Sequence, residues 1–402
     1  MSQVRQGSRG RATGLVRAAL AAAALAASAP AAAPYVPESD DVVLERVGGP
    51  QDPELRRLAH AKRNVLDNPS ELEPALTFAR SAIELGRQRS DPRLMGQAEA
   101  ALAPFVRVPE PALETRVLQA TLLQNRHEFS LALNMLEPVF AQAPHHPQAW
   151  LTRAVIELVQ GDPSASRASC THLFGRVDAL VAITCVGQAS ARAGRSRESY
   201  DAMRRALDGA SEAPVSERKW SLIELGEIAA RRGDSRAAEE HLRAALALDS
   251  DDAGTRVALA DFLLDERRFA EARALIDAAT PSDGALLRRA LAQRALDDPD
   301  WQASARDLEA RFAEARLRGA ALHEREEARF ALHLRDDPAR AAELARANFA
   351  TQREPADARI LLEAALAARD RTSAQPALEW LAHTQLEDVR LAVLAAELAA
   401  IE

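Results

Sequence analysis

From Pro53 to the end of the chain, apolar residues return at three- and four-residue spacings, in blocks of about 12–16 residues. That period puts one apolar stripe on each helix, and it predicts a succession of amphipathic helices interrupted every 15–20 residues. The interruptions share one chemistry. Asp52-Pro53, Asp91-Pro92, Asp162-Pro163, Asp298-Pro299 and Asp337-Pro338 each offer an acceptor side chain at the N-cap and a proline at N1, where a missing N–H does no harm. Ser70-Glu71-Leu72-Glu73 reads as a capping box. Gly194 and Gly233 stand where a helix must stop and the chain reverse. No period-two alternation survives between these signals, so the chain reads as a string of helical hairpins and the fold class as all-α.

One hairpin is written twice. Between Trp220 and Ala279, Leu225 and Leu259, Ala238 and Ala272, Leu242 and Ile276, and Ala245 and Ala279 are each 34 residues apart. Aligning every hairpin on the small residue early in its second helix selects Ala132, Ser166, Ser199, Ala238 and Ala272, with steps of 34, 33, 39 and 34 residues. Weaker copies continue near Ala303, Ala341 and Ala374. The 39-residue step predicts an insertion at Asp208 to Glu217.

A sustained period near 34 with two helices per unit resembles the tetratricopeptide repeat. Leu225-Gly226 supply its large-then-small pair, Gly187, Ala120 and Ala260 its small residue in the first helix, and Leu242, Ala245 and Pro144 later positions of the pattern. Gln119 and Arg153 depart from it where leucine is usual. The resemblance is strongest over about 113–280, with more divergent hairpins over 53–112 and 287–402, the latter including C-terminal capping helices at Ala374 to Thr384 and Glu387 to Ile401. It implies a right-handed α-solenoid whose units bury their faces only against neighbours. It also implies a concave face lined by the first helix of each unit. Here that face comprises Gln124, Asn125, Thr184, Gln188, Arg192, Trp220, Glu224, Glu227, Arg231, Asp261 and Asp265. Glu224, Glu227, Asp261 and Asp265 have the wrong sign for the Lys/Asn clamp with which some members hold a terminal carboxylate. The expected ligand is therefore a protein or peptide segment carrying basic residues. Cys170 and Cys185 fall on the facing helices of adjacent units, which suggests a disulfide; the alternative is two buried reduced thiols.

Composition changes the picture in two ways. Only 4% of the 402 residues are aromatic. Abundant Ala, Leu, Arg and Glu favour thin, closely approaching helices. Residues 1–33 carry Arg5, Arg9, Arg11 and Arg17 with no acid, then an alanine-rich apolar run from Ala18 to Ala27 and small residues to Ala33. That is the layout of a secretory signal peptide, and it predicts a periplasmic or secreted protein with residues 34–52 as an extended lead-in. Subtracting the leader's 4 basic residues from 51 leaves 47 against 59 acidic, a charge of −12 that argues against nucleic acid as a partner. No later stretch is long and apolar enough for a membrane span.

Catalytic and metal-binding signals are weak. His145-His146 lacks further ligands, and His323-Glu324 lacks the second histidine of a zincin helix. Glu239-Glu240 and Asp251-Asp252 read as exposed pairs on helices or turns. No cofactor, metal or nucleophile motif emerges. The expected function is non-enzymatic binding or scaffolding of another protein through the concave face. The alternatives are a structural subunit of a cell-envelope assembly or secretion complex and, less favoured, an enzyme or metal-binding protein.

Overall fold

A computed structural model describes residues 52–277, 282–317 and 324–401. The leader over 1–33, the lead-in up to residue 51, Ala279 and His323 lie outside the described residues. Among those described, twenty α-helices and no strands occur. The first, α1 (Pro53–Asp67), precedes a run of hairpins: α2 (Leu72–Arg89) with α3 (Pro92–Val106), α4 (Leu113–Asn125) with α5 (Phe129–Gln142), and α6 (Pro147–Val159) with α7 (Pro163–Thr171). Next come α8 (Ala179–Ala191) with α9 (Ser196–Asp208), α10 (Val215–Arg231) with α11 (Ser235–Leu248), and α12 (Ala253–Asp265) with α13 (Phe269–Asp277). The array continues with α14 (Asp283–Ala295) and α15 (Trp301–Leu317), α16 (Glu324–Leu334) and α17 (Pro338–Thr351), and α18 (Pro355–Ala368) and α19 (Arg371–Thr384). A last helix, α20 (Val389–Ala399), packs on α18. The fold is an all-α solenoid.

The helix boundaries follow the sequence signals in most places. Asp91, Asp162 and Asp337 accept from the backbone N–H of Arg93, Ala165 and Arg340 at 3.0, 2.9 and 3.0 Å, and a proline opens each helix. Gly194 and Gly233 take φ of +73° and +80°, the left-handed turn that lets each hairpin reverse. Two signals act differently from expectation. The stretch Ser70–Glu73 forms no side-chain cap: α2 starts at Leu72 with Glu71 uncapped. Asp298 accepts instead from the N–H of Asp300, so Pro299 lies in a turn and α15 starts at Trp301. The insertion after Asp208 is absorbed by a loop over 209–214 and by the 17-residue length of α10.

Small residues set the helix spacing. Ala132, Ser166, Ser199, Ala238, Ala272, Ala341 and Ala374 are all buried. A Cβ on Gly187 would lie 2.5 Å from Met203 Sδ, and one on Gly226 would lie 2.8 Å from Leu242 Cγ. Larger side chains there would push the two helices of a hairpin apart. In the unit of α15 the register slips: Ala303 is exposed, and Ser304 and Ala305 are buried in its place.

Residues from Glu54 onward make one compact unit, because the array winds back on itself. Arg353 N–H donates to Val159 O at 2.7 Å, Trp380 Nε1–H donates to Gly161 O at 3.1 Å, and Ser196 N–H donates to Glu387 at 3.2 Å. The C-terminal hairpins thus seat on the turns of the middle ones.

Candidate functional site

The first helices of successive hairpins line the inside of the coil, and the inner face divides in two. Around α8, α10 and α12 it is closed by the chain's own C-terminal helices. Asp261 on α12 accepts from Arg288 Nε and Nη2 at 3.0 and 2.7 Å and from Arg329 Nη1 at 2.9 Å. Asp265, one turn later, accepts from Arg359 at 2.8 Å and from Arg390. Arg192 donates to Glu354 at 3.2 Å. Burial opposes ionisation of Asp261, but the Arg288 and Arg329 guanidiniums outweigh it and hold the carboxyl below the usual carboxylate range. The same competition, settled by Arg192 and Arg325, holds Glu354 low.

The expectation of an open acidic groove for a basic peptide is therefore corrected. The acids of α12 are already paired, and the basic residues come from this chain's own α14, α16, α18 and α20. The pairing partners lie as far as 125 residues away in sequence, so no local pattern announces them.

The other expected groove residues divide among several environments. Gln188 donates to Glu224, and Glu227 lies 3.5 Å from Arg231. All four line a cavity of about 430 Å³ beside Asp261 and Asp265. Thr184 is fully buried, and its hydroxyl has no hydrogen-bond partner. Gln124 accepts from Arg87 at 3.4 Å, and Asn125 is exposed at the end of α4. Trp220 alone of the expected set reaches the second part of the inner face.

That second part is open. A cavity of about 1370 Å³ lies among α1, α2, α4, α6, α8 and α10. Its apolar wall includes Leu118, Leu151, Leu173, Val177, Val181 and Trp220. Charged groups stand at its edge. Lys219 Nζ donates to Asp249 at 2.7 Å and to Asp252 at 2.6 Å, and Gln88 donates to Asp249 at 2.9 Å. Arg80 pairs with Glu114 at 2.8 Å. Asp252 is buried rather than exposed, because it also caps α12 through Thr255 N–H. Apart from Trp220, the sequence reading did not name this lining as a site, since 12 of its 29 residues come from the divergent helices before residue 113. The signal available was the same inward-facing register continued into α2.

Beneath Trp220, Cys170 on α7 and Cys185 on α8 are joined by a disulfide with Cα atoms 5.6 Å apart. His146 caps α6: its Nδ1 accepts from Ala149 N–H at 3.3 Å, which places the ring proton on Nε2, 3.0 Å from Glu114. The expected loop histidine is a structural group.

Family comparisons agree with this architecture. Tetratricopeptide repeat models match residues 117–171 and 229–296. Among solved structures, the chain is similar to pilF of Pseudomonas aeruginosa, at 17% identity over 50% of this chain and 92% of that one, with a TM-score of 0.38. A tetratricopeptide repeat protein from Parabacteroides merdae matches at 15% identity over 58% and 92% of the two chains, with a TM-score of 0.39. A structure of the APC/C hetero-tetramer Cut9–Hcn1 matches at 15% identity over 77% and 52%, with a TM-score of 0.42. No protein of curated function matches the chain. With its repeated hairpins and the two stretches that match repeat models, this chain contains tetratricopeptide repeats.

Proposed function

We propose that the protein is an exported, non-enzymatic scaffold that receives a segment of a partner protein in the open chamber around Trp220. Tetratricopeptide repeats are protein-interaction modules; the finer reading rests on one observation. The inner face keeps about 1370 Å³ of space with an apolar wall and a charged edge in its N-terminal half. The C-terminal half is filled by the chain's own arginines. A mixed lining of this kind suits a segment that buries apolar side chains while its flanking polar groups meet the edge. The arginine-rich leader over 1–33 and the Cys170–Cys185 bridge both support export, since disulfides persist in oxidising compartments.

The test compares capture of partners from cell-envelope extract by the wild type and by Val181→Arg. Val181 lines the chamber and is only partly buried, so the substitution fills the space while sparing the core. A partner held by the wild type and lost by the variant, with helicity unchanged, supports the chamber. A partner set that the variant leaves intact overturns it. The mass of the exported protein tests the leader: an N-terminus between Ala27 and Pro34 supports it, and an intact Met1 overturns it.

A further inference from the structure

Among the described residues, buried apolar clusters join neighbouring hairpins but do not cross the seam that closes the inner face. The cluster of the last helices holds residues 328–401 alone, and those around α8 to α12 hold residues 183–292. Helix α16 joins two clusters: Ala328 and Ala331 pack into the C-terminal one, and Phe330 and Leu334 into that of α14 and α15. The bonds that cross the seam are polar. The N–H groups of Arg353, Trp380 and Ser196 donate across it, and Gln352 Nε2 donates to His127 Nδ1 at 3.0 Å. Arg192 pairs with Glu354, and Arg359 and Arg390 pair with Asp265. Where the last helices approach the middle turns they meet Gly161, Gly194 and Gly233, which have no side chain to bury. Apolar groups from the two sides, Val257 and Phe262 of α12 and Pro355 and Ile360 of α18, line the cavity of about 430 Å³.

We propose that α17 to α20 form a clasp that swings as one body about α16, closing the inner face over α8 to α12 and opening it to solvent. Opening frees Asp265 and Arg192, admits water to the cavity and leaves every apolar cluster intact. Asp261 stays paired, because Arg288 and Arg329 lie on α14 and α16, on the hinge side. Each bond lost at the seam is exchanged for one to water, so the closed and open forms differ by the small net worth of such bonds and not by a core. Junctions between neighbouring hairpins lack this freedom, since parting them would expose apolar surface. Charge sets the balance at the seam. Arg359 and Arg390 each keep 35% of their side-chain surface accessible while paired, so dissolved salt reaches and screens these pairs. The closed coil is the low-salt form, and rising ionic strength releases the clasp.

Spin-label distances measured in the full chain test the clasp. Cys170 and Cys185 are joined to each other, so new cysteines take the labels. Arg197→Cys with His383→Cys places them at exposed positions on opposite sides of the seam, and Arg346→Cys with His383→Cys places both within the clasp. At pH 7 and low salt the first pair should give one short distance. A longer one should appear and grow as NaCl rises to about 1 M, where the screening length falls to about 3 Å, while the second pair stays fixed. Asp265→Asn loses its ion pairs with Arg359 and Arg390 and should raise the ratio of open to closed at least about fivefold at the same salt. Arg236→Gln, which breaks an exposed pair on α11, should leave that ratio unchanged. A first-pair distance that neither salt nor Asp265→Asn moves overturns the proposal. So does a second pair that lengthens in step with the first, which would mean that the block unfolds instead of swinging. If Asp265→Asn does not fold, the salt series on the two labelled pairs decides by itself.

Discussion

Replacing Asp261 by asparagine tests whether the inner face is held closed by the chain's own charges. The carboxylate bridges three helices: α12, which carries it, α14 through Arg288, and α16 through Arg329. Arg288 is 4% exposed. Removing one partner of a buried ion pair costs about 3–5 kcal/mol when the remaining charge has no other compensation. Two features lower that figure here. The Asp261 side chain keeps 32% of its surface accessible, so solvent screens part of the interaction. Arg288 also retains Gly284 O at 3.2 Å and Glu326 at 3.5 Å. About 2 kcal/mol remains, which corresponds to roughly a 30-fold rise in the local opening equilibrium. A solenoid does not unfold as one unit, so the measurement is hydrogen exchange followed peptide by peptide. Amides in α12, α14 and α16 should lose about 30-fold protection in Asp261→Asn, while α2 to α5 stay unchanged. Exchange within threefold of the wild type in all three helices would refute the reasoning. Asp261→Lys should be worse than asparagine, since it sets a third cation between Arg288 and Arg329.

Other outcomes follow from the same structure. Because arginines hold Asp261 low, its contribution is present above the ordinary aspartate range near pH 4 and is lost as pH falls below it; Asp261→Asn should flatten that acid limb in urea melts taken across pH. Glu224 acts with the opposite sign. Burial raises it to about 8, so the folded state holds a proton that the unfolded state has released from about pH 4 upward, and stability falls as pH rises toward 8. Glu224→Gln should remove that decline, and an unchanged slope would contradict the assignment. Opening the Cys170–Cys185 bridge, which closes a 15-residue separation, should cost about 3 kcal/mol, read as the shift in a urea melt between oxidised protein and the Cys170→Ser/Cys185→Ser double variant. Gly161→Ala and Gly175→Ala both force a left-handed residue, at φ of +85° and +74°, at about 1 kcal/mol of strain each. Only at Gly161 would the new Cβ meet Arg353 Cβ at 2.7 Å and Trp380 Nε1 at 2.8 Å. The first variant should therefore be the more destabilised and lose exchange protection in α18 and α19; equal effects would argue against the docking of these helices.

The sequence by itself determined the hairpins. Aspartates at helix starts, glycines at the reversals after α8 and α10, and small residues every 34 or so positions act within one unit or between neighbours, so their spacing along the chain is their spacing in the fold. The same nearest-neighbour logic put Cys170 beside Cys185. Where the rule relies on a single local signal it failed, as at Ser70–Glu73 and at Pro299, because a cap forms only if the preceding turn delivers its side chain. Only the tertiary structure decided what the inner face does. Inward-facing residues were legible from the period, but whether Asp261 and Asp265 would be free depended on how tightly the solenoid coils. Coiling is the sum of small rotations at every hairpin junction, none of which is written at the residues it brings together. Arg359 and Arg390 reach Asp265 across 94 and 125 residues. The acidic stripe consequently serves as an internal seam, and the open chamber lies at the other end, around Trp220.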